Sequence, residues 1–205
     1  MNPKFDLRDD AAGLEDDRIS GYATPEGTKA YAERSDVVHS SNFKKVQMVE
    51  EDENLTLSKM TYGTESGRMS TSARDFLSYM AVRTALLSGG INHIDTGNFF
   101  MGQRAEPVIG GALRTMFRKF NMSREEVFVN SKQGWLLGNV AEDVTAELML
   151  KELLLSTNLQ EEDFISEGKD QATYYYSMAP EFLNFSLDYS LEKLGLQTLD
   201  AVLLT

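Results

Sequence analysis

The sequence predicts an α/β fold with a parallel sheet, and two observations support this class. Amphipathic segments alternate with short apolar runs, and chains that alternate in this way form sheets whose strands are connected by helices. Both apolar runs also end on a charged side chain, Asp95 in the first and Lys132 in the second. Polar residues at the C-terminal strand ends of a parallel barrel usually carry the chemistry, so we expect these two to lie side by side. The alternating segments are helix 72–88, strand 91–95, helix 106–119 and strand 126–132.

Each predicted helix carries an apolar stripe at helical spacing, which is typical of a helix packed on a sheet. The first helix opens with Ser72 and Asp75 at capping-box spacing, and Gly89 ends it. Pro107 lies near the start of the second helix, where a missing N–H is tolerated. The expected inward stripes are Leu77, Met80, Ala81, Thr84 and Leu87 in the first helix, and Ile109, Ala112, Leu113, Met116 and Phe117 in the second.

The sequence before residue 72 divides into a polar extension and a hairpin. Residues 1 to about 43 are polar and charged, and within them Thr24 followed by Pro25 is a helix-start signature. In residues 44–63, apolar and polar positions alternate on both sides of an acidic turn at 50–54, which predicts two short strands. The predicted division is therefore an extension, residues 1–43, and a folded segment, residues 44–205.

An insertion separates Lys132 from the last predicted strand. Residues 133–179 contain a predicted helix (141–155), an acidic loop (161–163) and three consecutive tyrosines (174–176). The last helix begins at Pro180 and stops at Gly195, and a strand at 199–205 follows it. Its expected inward stripe is Leu183, Leu187, Leu191 and Leu194.

The composition excludes several classes of function. A net charge of −12 and a pI of about 4.6 disfavour nucleic acids and anionic membranes as partners, because both would repel the chain. The absence of cysteine excludes disulfides, thiolate catalysis and cysteine-type zinc sites. The sequence has no run of about 18 apolar residues, and residues 1–10 lack the apolar core of a signal peptide. A cytoplasmic location is the default expectation, with an organellar assembly left open.

Three separate blocks of the sequence resemble the aldo/keto reductases: residues 90–96 (GINHIDT), 102–113 (GQRAEPVIGGAL) and 124–134 (REEVFVNSKQG). Residues 23–28 (ATPEGT) and 135–138 (WLLG) are similar to a long-chain branch of that family, which carries an insertion at the same place. Members are (β/α)8 TIM barrels that reduce carbonyls with a nicotinamide cofactor. The resemblance implies that residues 44–205 form the N-terminal half of such a barrel, about four βα units with a floor hairpin.

The resemblance also implies roles for particular residues. The family uses an aspartate, a tyrosine five residues later as proton donor, a lysine that lowers the pKa of that tyrosine, and a histidine past the fourth strand. The aspartate corresponds to Asp95 and the lysine to Lys132, whereas Phe100 occupies the tyrosine position and has no proton to give. Gly63 and Thr64 resemble the Gly-Thr pair beside the nicotinamide, so with Asp95 they are the candidate cofactor contacts. The histidine position would follow Thr205, and no metal site is expected.

Structural alternatives to these roles remain open. Asp95 and Lys132 are also explained as an inert, partly buried ion pair, which persists because removing one partner leaves the other charge unpaired. His93 is expected to be a satisfied core histidine on the same side as Asp95 rather than a metal ligand, and His39 is expected to be solvated. The tyrosines at 174–176 stand where the long-chain branch often has a histidine, and surface packing is their alternative role.

Two hypotheses of function follow. In the first, the chain is an aldo/keto-reductase-like pseudoenzyme that acts as a structural or interaction subunit, and no cofactor is expected for the chain alone. In the second, it is the N-terminal part of an NAD(P)H-dependent oxidoreductase that reduces carbonyls, completed by a missing or separate C-terminal half, and the cofactor is NADP(H). Phe100 favours the first hypothesis, and the retained Asp95 and Lys132 favour the second.

A half-barrel is expected to need a protein partner. An open parallel sheet has two edges with unpaired N–H and C=O groups, which are templates for another strand. We therefore expect a C-terminal half-barrel or a hetero-oligomeric assembly to cover the open side. The apolar strand residues that cannot all point at helices are Ile91, Ile94, Val127, Val129, Val202 and Leu204.

Overall fold

The computed structural model describes residues 18–34, 40–47, 54–65, 72–88, 90–139, 143–169 and 172–205. Helices and strands alternate through much of the chain, as the sequence predicts. The helices are α1 (Pro25–Glu33), α2 (Ser72–Leu87), α3 (Ala105–Lys119), α4 (Ala146–Ser156) and α5 (Pro180–Leu194). The strands are β1 (Phe43–Gln47), β2 (Asn54–Ser58), β3 (Tyr62–Gly63), β4 (His93–Asp95), β5 (Phe128–Gln133), β6 (Trp135–Leu136), β7 (Ile165–Lys169), β8 (Ala172–Tyr176) and β9 (Ala201–Leu204).

A four-stranded parallel sheet in the order β3-β4-β5-β9 organises the molecule. In its register Gly63 pairs with Asp95, Asp95 with Asn130, and Lys132 with Leu203. The C-terminal ends of the strands therefore meet at one edge, which brings Asp95 and Lys132 together. Strands β4 and β5 begin later than the sequence predicts, at residues 93 and 128. For β5 the reason is that residues 124–126 form a short 3₁₀ turn.

The main core lies between this sheet and the helices α2, α3 and α5. Ile94, Val127 and Val129 are fully buried in it. The six apolar strand residues do not all point at helices, as expected, because Val202 and Leu204 on β9 are exposed while these three are buried. Four residues of the predicted α3 stripe are fully buried in the same core, namely Ile109, Ala112, Leu113 and Met116.

The residues before α2 pack against the barrel sheet. Strands β1 and β2 form the predicted hairpin, with Phe43 paired to Ser58. Helix α1 begins as predicted, because Thr24 Oγ1 accepts from the Gly27 N–H at 3.0 Å. The Tyr31 hydroxyl donates to the Leu86 carbonyl at 2.7 Å, so α1 is fixed to the core. Residues 18–34 of the predicted extension are thus packed, while residues 1–17 and His39 lie outside the described residues.

A buried ion pair that the sequence analysis missed connects three segments. Arg124 Nη2 lies 2.8 Å from Asp200 Oδ2, and both side chains are almost completely buried. The same carboxylate accepts from the backbone N–H of Ala23 and of Val129, each at 2.6 Å. The Asp200 carboxylate, just before β9, therefore joins the segment before α1 to the start of β5.

The predicted insertion forms a small three-stranded antiparallel sheet in the order β6-β8-β7, together with α4. Helix α4 begins at Ala146, with Thr145 as its N-cap, rather than at residue 141. The tyrosine run lies in β8, and the Tyr176 ring packs on Trp135 with centroids 5.1 Å apart. This packing is the structural alternative expected for that run.

The predicted inward stripe of α2 is wrong. Leu77 is 65% exposed, whereas Leu86 is only 2% exposed, and Asp75, Val82 and Ala85 face inward with Leu86. Apolar residues surround much of this helix, so the helical period alone does not select the buried face. The Asp75 carboxylate pairs with Arg104 Nη2 at 2.5 Å, and the side chain of Ser72, its predicted capping partner, lies outside the described residues.

The buried line of α5 is displaced by one residue from three of the four predicted leucines, and Leu194 is buried as predicted. Phe182, Ser186, Ser190 and Leu194 are buried, and Leu183, Leu187 and Leu191 flank them at partly buried positions. The two serines face inward because they hydrogen-bond to Gln133 on β5. Polar partners across the interface therefore decided the orientation that hydrophobic periodicity failed to predict.

Candidate functional site

Asp95 and Lys132 form an ion pair at the C-terminal edge of the sheet. Lys132 Nζ donates to Asp95 Oδ1, and the two side chains are 17% and 28% exposed, respectively. The pairing predicted from the strand ends is confirmed. A partly buried pair of this kind has restricted access to water, so the loss of one partner is costly.

The pair continues into a row of hydrogen-bonded side chains, which we call the polar row: Thr61, His93, Asn130, Asp95 and Lys132. Asn130 Nδ2 donates to Asp95 Oδ1 at 2.5 Å, His93 Nε2 lies 2.7 Å from Asn130 Oδ1, and Thr61 Oγ1 lies 3.0 Å from His93 Nδ1. An ionised carboxylate only accepts hydrogen bonds, so Asn130 turns its NH₂ toward Asp95 and its oxygen toward His93. His93 Nε2 then donates to Asn130 Oδ1, and His93 Nδ1 shares a hydrogen bond with the Thr61 hydroxyl.

His93 is satisfied on both ring nitrogens, as the structural alternative expects. Its ring also meets the Phe128 ring edge-on, with centroids 4.9 Å apart. Among the described residues, no group of three or more histidine, aspartate or glutamate side chains is placed to hold a metal ion. Its hydrogen bonds to Asn130 and Thr61 place His93 in the polar row.

Phe100 covers the ion pair. The Lys132 Nζ atom lies 4.9 Å from the centroid of the buried Phe100 ring, which itself packs edge-on against Phe99. The ammonium is attracted to the negative face of the ring. Lys132 also approaches the Thr96 carbonyl at 3.4 Å. The lysine is thus enclosed by a carboxylate, a carbonyl and an aromatic face.

Gly63 and Thr64 lie next to the ion pair at the end of β3. A Cβ on Gly63 would contact nothing within 4 Å, so the space beside its backbone is open. The Thr64 N–H donates to the Asp95 carbonyl at 3.1 Å, and the Thr64 hydroxyl donates to Thr96 Oγ1 at 3.0 Å. The cation of the polar row is engaged with Asp95, so the described residues of this site offer no free positive charge to the phosphates of a dinucleotide.

The sequence analysis missed three members of this site: Asn130, Thr61 and Thr96. The sequence spacing could have indicated Asn130, because it precedes Lys132 by two residues and side chains two residues apart lie on the same face of a strand. His93 and Asp95 repeat the same spacing on β4. Thr61 precedes β3 and Thr96 follows β4, and only the tertiary structure brings their hydroxyls to partners.

The parallel sheet, its crossover helices and the charged pair at its C-terminal edge define an α/β protein of the barrel class. The profile of the Aldo/keto reductase family matches residues 59–205, a range that includes the whole polar row. The chain belongs to the aldo/keto reductase family, and its sheet is part of a (β/α)8 barrel with about four βα units.

Several solved structures are similar to this chain at low sequence identity. A thermostable aldo-keto reductase, Tm1743, solved with the inhibitor epalrestat, is 18% identical over 78% of this chain and 42% of its own, with a TM-score of 0.48. An aldo-keto reductase of the silkworm Bombyx mori (AKR2E4), solved with NADP, is 20% identical over 78% of this chain and 37% of its own, also with a TM-score of 0.48. AKR11C1 from Bacillus halodurans, in its holo form, is 17% identical over 79% of this chain and 40% of its own, with a TM-score of 0.46.

The chain spans about two fifths of the length of these structures. No curated protein sequence matches it significantly. Among the described helices, none combines the length and the apolar character that crossing a membrane requires.

Proposed function

We propose that this chain is a catalytically inactive aldo/keto-reductase-like protein that acts as a structural or interaction component of a larger assembly. The observation that carries the proposal is the Phe100 ring against Lys132 Nζ, at the position where the family resemblance implies a tyrosine. Carbonyl reduction by hydride transfer requires a proton at the carbonyl oxygen, and a phenyl ring cannot supply one. The ion pair then has a stabilising role.

The expected loss of rate is large. Removing a general acid typically costs a factor of ~10²–10⁴, and removing a hydrogen-bond donor to the developing alkoxide costs roughly 10²–10³. One tyrosine performs both tasks, so the two factors overlap rather than multiply. Lys132 does not replace it, because its ammonium is hydrogen-bonded to Asp95 and covered by Phe100.

A second candidate function is supported by the intact ion pair. In this reading the chain is the N-terminal part of an NAD(P)H-dependent oxidoreductase, and a C-terminal half completes the barrel and supplies the remaining cofactor contacts. Asp95 and Lys132 then keep their catalytic roles, and Gly63, Thr64 and Asp95 face the nicotinamide. The open space beside Gly63 favours this reading.

NADPH oxidation by the full protein with small aldehydes separates the two candidates. The proposal predicts a rate equal to the enzyme-free blank, unchanged in Lys132→Met. A rate above the blank that Lys132→Met abolishes would favour the oxidoreductase instead. Phe100→Tyr localises the cause: a gain of activity shows that the rest of the site is competent and that Phe100 alone silences it.

Nicotinamide binding is a second measurement. We expect no saturable NADPH binding by the 205-residue chain in calorimetric titration, because the described site offers no free cation to the phosphates. An affinity in the micromolar range for this chain alone would reverse the ranking of the two candidates.

The interaction role rests on the surface of β9. Val202, Leu203 and Leu204 are exposed there, and among the described strands β9 pairs with β5 alone. At ~25 cal/mol per Å², a few hundred Å² of such surface left in water forfeits several kcal/mol. The proposed partner is a protein that covers this side, either a C-terminal half-barrel or another subunit. A cytoplasmic location is part of the same proposal.

A further inference from the structure

Helix α2 has an apolar stripe on its outer side, opposite the face that enters the core. The core face contains Val82, and the stripe lies about 180° away from it around the helix axis. Its members are separated by three, four and three residues, which is the spacing of side chains that pack against another helix. These members are Leu77, Met80, Thr84 and Leu87, and all four are exposed. We call this feature the α2 stripe.

The regular spacing distinguishes the α2 stripe from scattered exposed side chains. The sequence predicts the same four residues, with Ala81, as a stripe packed on a neighbour, because their period is helical. Helix α3 meets α2 from a different side, where the Tyr79 hydroxyl lies 2.8 Å from Thr115 Oγ1. An exposed apolar surface with this period is the kind of surface that an amphipathic helix of another protein binds.

Arg83 connects the α2 stripe to the end of α3. Its Nη1 atom lies 3.6 Å from Met80 Sδ, and its guanidinium carbon lies 5.0 Å from the centroid of the exposed Phe120 ring. Among the described residues, no carboxylate forms an ion pair with Arg83. A carboxylate from a partner would therefore meet this cation in an apolar setting, where opposite charges attract more strongly than in open water.

Two further cations lie at the same end of the stripe. Arg118 and Lys119 follow Thr115 by three and four residues, so they lie on the side of α3 that faces α2, and both are exposed. The carboxylates within α2 and α3 are Asp75 and Glu106, and both are buried. The exposed charge of these two helices is therefore positive, although the chain has a net charge of −12. This local charge favours an acidic partner.

A second copy of the chain does not fit this surface. Arg74 lies one turn before Leu77, and Arg83 lies near the other end of the stripe, so two copies that met through it would bring like charges together in either orientation. The geometry points to the α2 stripe as the docking surface for an amphipathic α-helix of a partner protein, with leucine-type side chains on the stripe and carboxylates facing Arg83, Arg118 and Lys119. This inference rests on the interaction role proposed above, but it concerns a surface other than β9.

The test uses the full protein and a fluorescent amphipathic peptide of about 15 residues, followed by fluorescence anisotropy. The leucines of the peptide repeat at three- and four-residue spacing, and glutamates flank them. A second peptide has lysine in place of every glutamate. Leu77→Glu disrupts the stripe, and Leu155→Glu, the same change at an exposed leucine of α4, is the matched control. The double substitution Arg118→Glu and Lys119→Glu reverses the local charge.

We expect the glutamate peptide to bind saturably, and roughly 5- to 20-fold more tightly than the lysine peptide at low salt. The net charge of −12 alone would give the opposite order, so this order reports the local surface. Leu77→Glu should weaken binding by about tenfold or more, and Leu155→Glu should leave it unchanged. The double substitution at residues 118 and 119 should remove the preference for the glutamate peptide.

Tighter binding of the lysine peptide, no saturable binding, or equal losses in Leu77→Glu and Leu155→Glu would each overturn the inference. A sedimentation shift from oligomer to monomer in Leu77→Glu would identify a second copy as the occupant and would overturn it as well. The outcome is separable from the role of β9. A chain that sediments as a monomer yet binds the glutamate peptide refutes only the β9 role, whereas a chain that associates but does not bind the peptide refutes only this inference.

Discussion

At the scale of single residues, Phe100 changes what the Asp95–Lys132 pair can do. The pair occupies the place that the family resemblance gives to catalytic groups, yet its cation faces a phenyl ring. Asn130 and His93 extend the pair into the polar row, and each of these side chains has its hydrogen-bonding groups engaged. The row therefore stabilises the C-terminal edge of the sheet whether or not chemistry occurs there.

Replacing Lys132 by Met should destabilise the fold by about 1–3 kcal/mol, because Asp95 is left as a partly buried charge without its cation. Urea denaturation measures this change. The matched control is Lys29→Met, whose partner Glu33 is as exposed as Lys29 itself, and which should cost less than ~0.5 kcal/mol. If the two variants lose equal stability, the pair at the sheet edge contributes no more than a surface pair.

Glu106 predicts a pH dependence of stability. Burial raises the pKa of its carboxyl to about 7, although the hydroxyls of Ser131 and Ser190 and the charge of Lys193 act in the opposite direction. Between the ordinary value near 4.5 and pH 7, the folded state binds a proton that the unfolded state has released. This contribution is therefore fully present below pH 4.5 and is lost as the pH rises through 7.

The variant Glu106→Gln keeps the shape of the side chain and removes the titration. We expect the fall in unfolding free energy between pH 4.5 and 7, on the order of 3 kcal/mol in the wild type, to disappear in the variant. Urea denaturation at half-unit steps of pH checks this. A wild-type profile that is flat over the same interval would contradict the raised pKa.

At the scale of elements, α2 shows two apolar faces of which only one packs within the described residues. Val82 and Leu86 enter the core, while Phe76, Leu77 and Leu87 are exposed. In helix α5, two serines occupy buried positions, and the neighbouring leucines are only partly buried. In both helices the buried face is decided by what lies opposite it.

Two truncations on α2 test this orientation. Leu86→Ala should lose about 2–5 kcal/mol of unfolding free energy, because Leu86 is buried and its truncation leaves a cavity. Leu77→Ala, the same change on the opposite side of the same helix, should stay within about 0.5 kcal/mol of wild type. Equal losses in thermal or urea denaturation would mean that Leu77 is also packed.

At the scale of the whole molecule, the sheet has one edge at β3 and another at β9. The helices cover one side of its two central strands with a dense core, whereas β9 carries exposed apolar side chains. Exposed strand edges and apolar surface promote association with other strands. These features agree with a sheet that is completed by further strands.

The isolated 205-residue chain should therefore self-associate or bind a protein that covers β9. In sedimentation velocity we expect species larger than a monomer at micromolar concentration. The double substitution Val202→Lys and Leu204→Lys should shift the sedimentation distribution toward the monomer, because charges on an edge strand oppose strand pairing. A wild-type chain that sediments as a monomer and melts cooperatively would refute the assembly role.

Several features follow from the sequence alone. Parallel strands that end together at one edge required Asp95 and Lys132 to meet, and alternation along β4 placed His93 on the same side. The α3 stripe was also predictable, because its apolar residues recur at helical spacing along one face. Local physics fixes these features, since strand pairing and helical period act over short distances.

Other features were decided only by the tertiary structure. The choice of buried face in α2 depends on α3 and the sheet, because both faces of that helix are apolar. Thr61 reaches His93 across 32 residues of sequence, and Asn98 reaches Ser186 across 88, so no local pattern encodes either contact. Side-chain hydrogen bonds between distant segments require the packed chain to bring their atoms within 3 Å, and only the complete fold meets that condition.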